Sequence, residues 1–218
     1  MDLRTLPPTI ATVSTGGNAQ IAMAAGPDGC LYVDNMDRVY KVAAADGSCN
    51  LGLVATAPDS VIKEYYNTGL NHYFITAFDA EKRSVETGGA GPGWQMTGQF
   101  ITVGGDSPVC RFYGNRNINP ATGQPFGPNS HFYTIEAAEC AAVKLDPGWT
   151  FESGDVFSMI QVTGPGECPE DTRPVRRVYN NRAAQNDSNH RYLTSQALYQ
   201  QMINSGWRGE GVVFCAQP

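Results

Sequence analysis

From Val61 onward, apolar and polar positions follow the same order three times. Each copy opens on a short aromatic run: Glu64-Tyr65-Tyr66-Asn67, Arg111-Phe112-Tyr113-Gly114 and Arg177-Val178-Tyr179-Asn180. Apolar and polar residues mixed over so few positions predict strands. A second strand follows, with one histidine per copy: His72 to Thr76, His131 to Ile135 and His190 to Thr194. Helix-prone runs come next, at 79–85, 136–143 and 195–203. Each ends in a Gly-Trp pair, Gly93-Trp94, Gly148-Trp149 and Gly206-Trp207, and a last strand carries Phe100, Phe157 or Phe214. The histidines stand 59 residues apart, and a fixed period of this kind marks a structural repeat. The copies differ in one detail: Thr falls four residues after His in the first and third, three after it in the second.

The first 58 residues read differently. Ile21 to Ala25, Leu31 to Val33 and Arg38 to Val42 are short apolar strands parted by Pro-Asp-Gly and Asn-Met-Asp turns, the pattern of an antiparallel meander. The expected fold is therefore α+β and mostly β. A β-meander over 1–58 precedes three ββαβ-type repeats in pseudo-threefold arrangement, at about 61–104, 108–162 and 168–218.

Composition narrows the partners. Net charge is −6 with 15 basic residues, and no run of Lys and Arg forms a stripe, which argues against nucleic acid and anionic membrane. No apolar run reaches the length of a membrane span. Six cysteines without metal or redox spacing predict disulfides. Sequence leaves fifteen pairings open; locality favours Cys30 with Cys49, Cys110 with Cys140 and Cys168 with Cys215. Disulfides imply an oxidising compartment, secreted, periplasmic or at the cell surface, with the export signal removed from this chain.

Residues two apart in a strand share a face, so His72 lies with Phe74, His131 with Tyr133 and His190 with Tyr192. Tyr73 and Phe132 fall on the opposite face, as Tyr65 does relative to Tyr66. If the histidine face is packed, Tyr65, Tyr73 and Phe132 are exposed contact residues. The histidines His72, His131 and His190 are either braces for the preceding loop, ligand-facing groups, or three zinc ligands converging with an open fourth position. The residues before them, Asn71, Ser130 and Asn189, include no carboxylate to orient a metal-bound imidazole, which favours the brace. Trp94, Trp149 and Trp207 are expected to anchor their own copies. Glu152 and Glu210, with Thr97 in the matching place, are expected to cap a turn. No nucleophile elbow, zinc-protease motif, phosphate loop or calcium loop is present, so no cofactor and no catalytic residue is assigned. The loop before the histidine is longest in the second copy, 115–129, and is where a binding face is expected.

Two resemblances add to this. The segments around His72 to Thr76, His131 to Thr134 and His190 to Thr194, with Trp94, Trp149, Trp207 and the closing Glu210 to Cys215, resemble a bacterial secreted domain family of unknown function. The run from Gly26 to Val42 resembles one blade of a secreted β-propeller. Members of the first family often accompany hydrolase, peptidase or cell-wall-acting domains. That implies an accessory attachment role, with a glycan, cell-envelope or extracellular protein ligand and possible further domains of a longer chain. A metal-dependent hydrolase using the three histidines and a structural cap are the alternatives.

Overall fold

The computed structural model describes residues 22–25, 31–34, 39–42 and 61–218. The chain divides into two units, Met1–Ala57 and Pro58–Pro218. In the first, β1 (Ala22–Ala25), β2 (Leu31–Asp34) and β3 (Val39–Val42) form an antiparallel sheet in chain order. Cys30 and Cys49 lie outside the described residues.

The second unit is mostly β, with three helices and several small antiparallel sheets. In chain order it runs β4 (Val61–Asn67), β5 (His72–Thr76), α1 (Asp79–Glu86), β6 (Trp94–Thr102), β7 (Ser107–Pro108) and β8 (Cys110–Gly114). It continues with β9 (Ile118–Asn119), β10 (Gln124–Pro125), β11 (His131–Thr134), α2 (Ala137–Val143), β12 (Trp149–Ser153) and β13 (Ser158–Met159). It closes with β14 (Arg173–Tyr179), β15 (His190–Leu193), α3 (Gln196–Asn204) and β16 (Arg208–Ala216). Three sheets have the same plan: β5-β4-β6, β11-β8-β12 and β15-β14-β16, each with its helix between the second and third strands in sequence. The pairs β9–β10 and β7–β13 are the other ladders of this unit, the first inside the long loop of the second sheet.

Local chemistry sets the turns. Gly93 and Gly206 have φ of 90° and 97°, so the corner from helix to last strand needs a residue without Cβ. The Asn67 side chain accepts from the Gly69 and Leu70 amides and donates to Pro92 O at 3.0 Å, tying the first loop to that corner. Asn115 does the same work in the second sheet, donating to Pro147 O at 2.9 Å.

The three sheets share one core. Ile62, Tyr65, Phe74, Ile75, Tyr133, Phe157, Met159, Val175, Tyr192 and Phe214 pack in a single cluster. Each large side chain in it contributes about 1.5–3 kcal/mol of burial. The two tyrosine hydroxyls at its centre are satisfied across sheets: Tyr133 donates to Ile75 O at 2.5 Å, and Tyr192 to Tyr133 O at 2.7 Å. Smaller clusters lie under α2 (Phe112, Phe132, Cys140) and α3 (Val178, Leu193, Met202).

Disulfides Cys110–Cys140 and Cys168–Cys215 fasten α2 to β8 and the segment before β14 to β16. Among the described residues no cysteine is free, and no helix is long and apolar enough to cross a membrane. Protein folded under oxidising conditions is expected to show no reactive thiol at Cys110, Cys140, Cys168 or Cys215 after denaturation. Replacing Cys110 and Cys140 by Ala is expected to lower unfolding free energy by about 2–4 kcal/mol, measured by urea titration. Labelling of all four in unreduced protein would refute the pairing.

Candidate functional site

Strand register identifies which side chains hold matching places. Tyr66, Tyr113 and Tyr179 each pair with the residue directly after their own sheet's tryptophan, and across the other ladder they face Tyr73, His131 and His190. So His131 and His190 correspond, but Tyr73 holds the matching place in the first sheet. His72 sits one position earlier, beside Asn67, where the other sheets have Ser130 and Asn189. The expectation of three equivalent histidines is corrected to two. The reason is a one-residue difference before the helix: the helix starts seven residues after His72 but six after His131 and six after His190. A shift of one residue turns a strand side chain to the other face.

The two kinds of position do different work. His72, Ser130 and Asn189 are buried and each reaches the next sheet. His72 Nδ1 lies 2.8 Å from Asn129 O and its Nε2 2.7 Å from Asp187 Oδ1. Ser130 donates to Ser188 O, and Asn189 donates to Tyr73 O at 3.2 Å. His72 is thus a brace between the loops of the second and third sheets. Tyr73, His131 and His190 instead pack on their tyrosines, with centroids 4.8–4.9 Å apart.

A side chain of the preceding sheet covers each of these three rings. Phe74 packs on His131 at 4.7 Å and Phe132 on His190 at 4.9 Å, while Arg191 lies over Tyr73 at 4.1 Å. Charged clusters flank the same contacts. Arg111 donates two hydrogen bonds to Glu81 at 2.9 and 2.8 Å, and its Nε lies 2.7 Å from Glu152 without hydrogen-bond alignment. Arg177 binds Glu139 with two bonds of 3.0 Å and Glu210 at 2.6 Å. Where third sheet meets first, polarity is reversed: Glu64 replaces the arginine and accepts two bonds of 2.9 Å from Arg191. Thr97 adds a bond of 2.7 Å to the same carboxylate.

A cavity of about 690 Å³ lies between the first and second sheets. Its lining joins the rings of Phe74, Trp94, Tyr113 and His131 to the charged groups of Glu81, Arg111 and Glu152. Burial, reinforced by Arg111, lowers the pKa of His131 to about 3, so the imidazole is neutral, with Nε2 3.5 Å from Glu152. Burial also raises the Glu152 carboxyl above its ordinary value, against the opposing pull of Arg111. Burial alone would lower Arg111, but Tyr133, Glu81 and Glu152 hold it charged. The guanidinium is already engaged by two carboxylates, so it offers little to an anion. Acceptor oxygens and aromatic faces predominate.

Of the expected contact residues, His72 and His131 reach this cavity, and Tyr73 lines it while half-buried against Tyr66 and Trp207; His190 lies at the next junction, against Phe132. Tyr65 and Phe132 are buried, not exposed. Tyr65 belongs to the shared core, and Phe132 is covered by His190, Trp149 and the Arg177 guanidinium. Neighbouring sheets cover the strand face opposite the histidines, which alternation within one strand cannot reveal. The tryptophans are half-buried, and Trp94 is both an anchor, donating to Ala90 O at 3.2 Å, and part of the cavity. Glu152 and Glu210 pair with Arg111 and Arg177 and do not cap turns. Glu81 and Arg111 were not singled out by sequence, although Arg111 and Arg177 open matching aromatic runs, and Glu81 and Glu139 both stand three residues into their helices. The long loop reaches the cavity only through its end, Asn129. Among the described residues no group of three or more His, Cys, Asp or Glu is placed to hold a metal ion.

A family model described as a domain of unknown function, DUF5648, matches residues 54–158 and again 126–218. No curated protein and no solved structure matches the chain.

Two outcomes follow from the site's electrostatics. His190, like His131, is lowered to about 3, by burial and then Arg177. An unfolded chain binds these protons near the ordinary value of 6.5, so the stability from neutral burial is complete above that pH and is lost as pH falls towards 3. The expected slope is near zero above pH 7 and approaches about 1.4 kcal/mol per pH unit for each histidine below about pH 6, read from urea titrations between pH 7.5 and 5. His131→Phe with His190→Phe should flatten it; a pH-independent wild type would contradict the burial. Separately, Arg191→Met strands a Glu64 carboxylate that is 2% exposed. It should cost about 3–5 kcal/mol, much of it recovered by adding Glu64→Gln. Equal stability of Arg191→Met and wild type would count against this pairing.

Proposed function

The chain belongs to the DUF5648 family, and we propose that residues 61–218 are a non-enzymatic binding module for a neutral saccharide chain of the extracellular or cell-envelope environment. The cavity between the first and second sheets carries this reading. Sugars present apolar C–H faces and a ring of hydroxyl donors. Phe74, Trp94 and Tyr113 supply rings for the former, and Glu81 and Glu152 supply acceptor oxygens for the latter. Arg111 is neutralised by its own carboxylates, which disfavours sulfated or uronic acid chains.

In the same reading the three sheets are ββαβ repeats about a pseudo-threefold axis, and His72, Ser130 and Asn189 lie near that axis. Shared strand order, register and cyclic contacts support it. The meander over 1–58 is read as a blade-like β-meander of the secreted type. Disulfides in the described part favour an oxidising compartment. The histidines do not support the metallohydrolase alternative, because both ring nitrogens of His72 are engaged by Asn129 and Asp187.

Purified protein is expected to bind neutral oligosaccharides on a glycan array, with affinity then measured by calorimetry. Trp94→Ala should weaken binding at least tenfold and Trp94→Phe much less, both with unchanged circular dichroism. Absence of binding to every neutral glycan, or binding indifferent to Trp94→Ala, would overturn the proposal.

A further inference from the structure

The chemistry of the cavity recurs one sheet further along the chain. Glu139, Arg177 and Glu210 repeat Glu81, Arg111 and Glu152, each arginine gripping a helix carboxylate of the sheet before and a last-strand carboxylate of its own. Phe132 over His190 repeats Phe74 over His131, and Trp149 packs on Phe132 at 5.9 Å as Trp94 does on Phe74 at 6.0 Å. Solvent reaches the two clusters alike: side-chain exposures are 35%, 10% and 22% for Glu139, Arg177 and Glu210, against 32%, 12% and 29% in the first. Both imidazoles are neutral. His190 Nδ1, moreover, is buried without a hydrogen-bond partner. A buried polar atom left unsatisfied calls for a partner that the protein itself does not supply.

The third junction is built differently. Leu198 stands three residues past the helix N-cap where the others have Glu81 and Glu139, and Thr97 stands where they have Glu152 and Glu210. Arg191 and Glu64 fill the space, with side-chain exposures of 9% and 2%. The Glu64 carboxylate there is buried out of reach of a ligand hydroxyl.

We propose that the junction of the second and third sheets is a second saccharide site, with Trp149, Glu139 and Glu210 as its contacts, and that the third junction is not a site. The proposal rests on the saccharide reading of the first cavity. Two like sites in one unit favour a ligand that repeats, because the second contact is then made at high effective concentration.

The three tryptophans, one per sheet, report each junction separately. The experiment titrates ¹⁵N-labelled protein with cellotetraose, chitotetraose, mannotetraose and xylotetraose and follows the three indole N–H signals, assigned with Trp→Phe variants. The expected result is that at least one probe shifts Trp94 and Trp149 while Trp207 stays. Glu210→Gln should then weaken the Trp149 response at least tenfold and leave that of Trp94 within twofold. A shift of Trp94 alone overturns the second site and leaves the first standing. Movement of all three overturns the two-site assignment. If no probe moves any indole, the saccharide reading fails together with the second site.

Discussion

The second unit depends on charges that meet their partners across the sheets. Glu64 at 2% exposure has no place in a core unless Arg191 meets it, and an uncompensated buried charge costs several kcal/mol. The same holds for Arg111 and Arg177, each held between carboxylates of two different sheets. Because the third junction reverses the sign, the three contacts are not interchangeable. A sheet docked in the wrong order would set Arg against Arg191, or Glu64 against a helix carboxylate. Charge complementarity of this kind selects one arrangement among several of similar hydrophobicity.

Apolar packing supplies the bulk of the stabilisation around that constraint. Tyr133 and Tyr192 sit at the centre, and their hydroxyls find carbonyls in the neighbouring sheets. Their burial therefore links the sheets without leaving polar atoms bare. On the loop side, His72, Ser130 and Asn189 perform the corresponding polar closure. A ring contact joins Phe74 to His131 and an ion pair joins Arg111 to Glu152.

The sequence was sufficient for the elements and two staples. The first two strands and the helix of each copy lie where the aromatic runs and helix-prone runs put them, whereas Phe157, expected in the last strand of the second copy, lies beyond the end of β12; locality found Cys110–Cys140 and Cys168–Cys215. It was also enough to show that Glu152 and Glu210 hold matching places, though not what they do. Local propensity and turn chemistry act over a few residues, and those signals can be read directly from the chain.

Which residues meet was decided by tertiary structure. Arg191 and Glu64 are 127 residues apart, and Arg111 and Glu81 are 30 apart. Period-two alternation says that two side chains share a face but not what covers it, so Tyr65 and Phe132 read as exposed and are buried. The equal spacing of the three histidines likewise concealed a register shift, because counting residues between landmarks ignores where a strand gains or loses one. Only pairing across the ladder fixed His72 as a brace and placed Tyr73 beside His131 and His190 in role. The cavity has the same origin: its aromatic and charged groups come from two sheets and take their relation from the packing of one on the other.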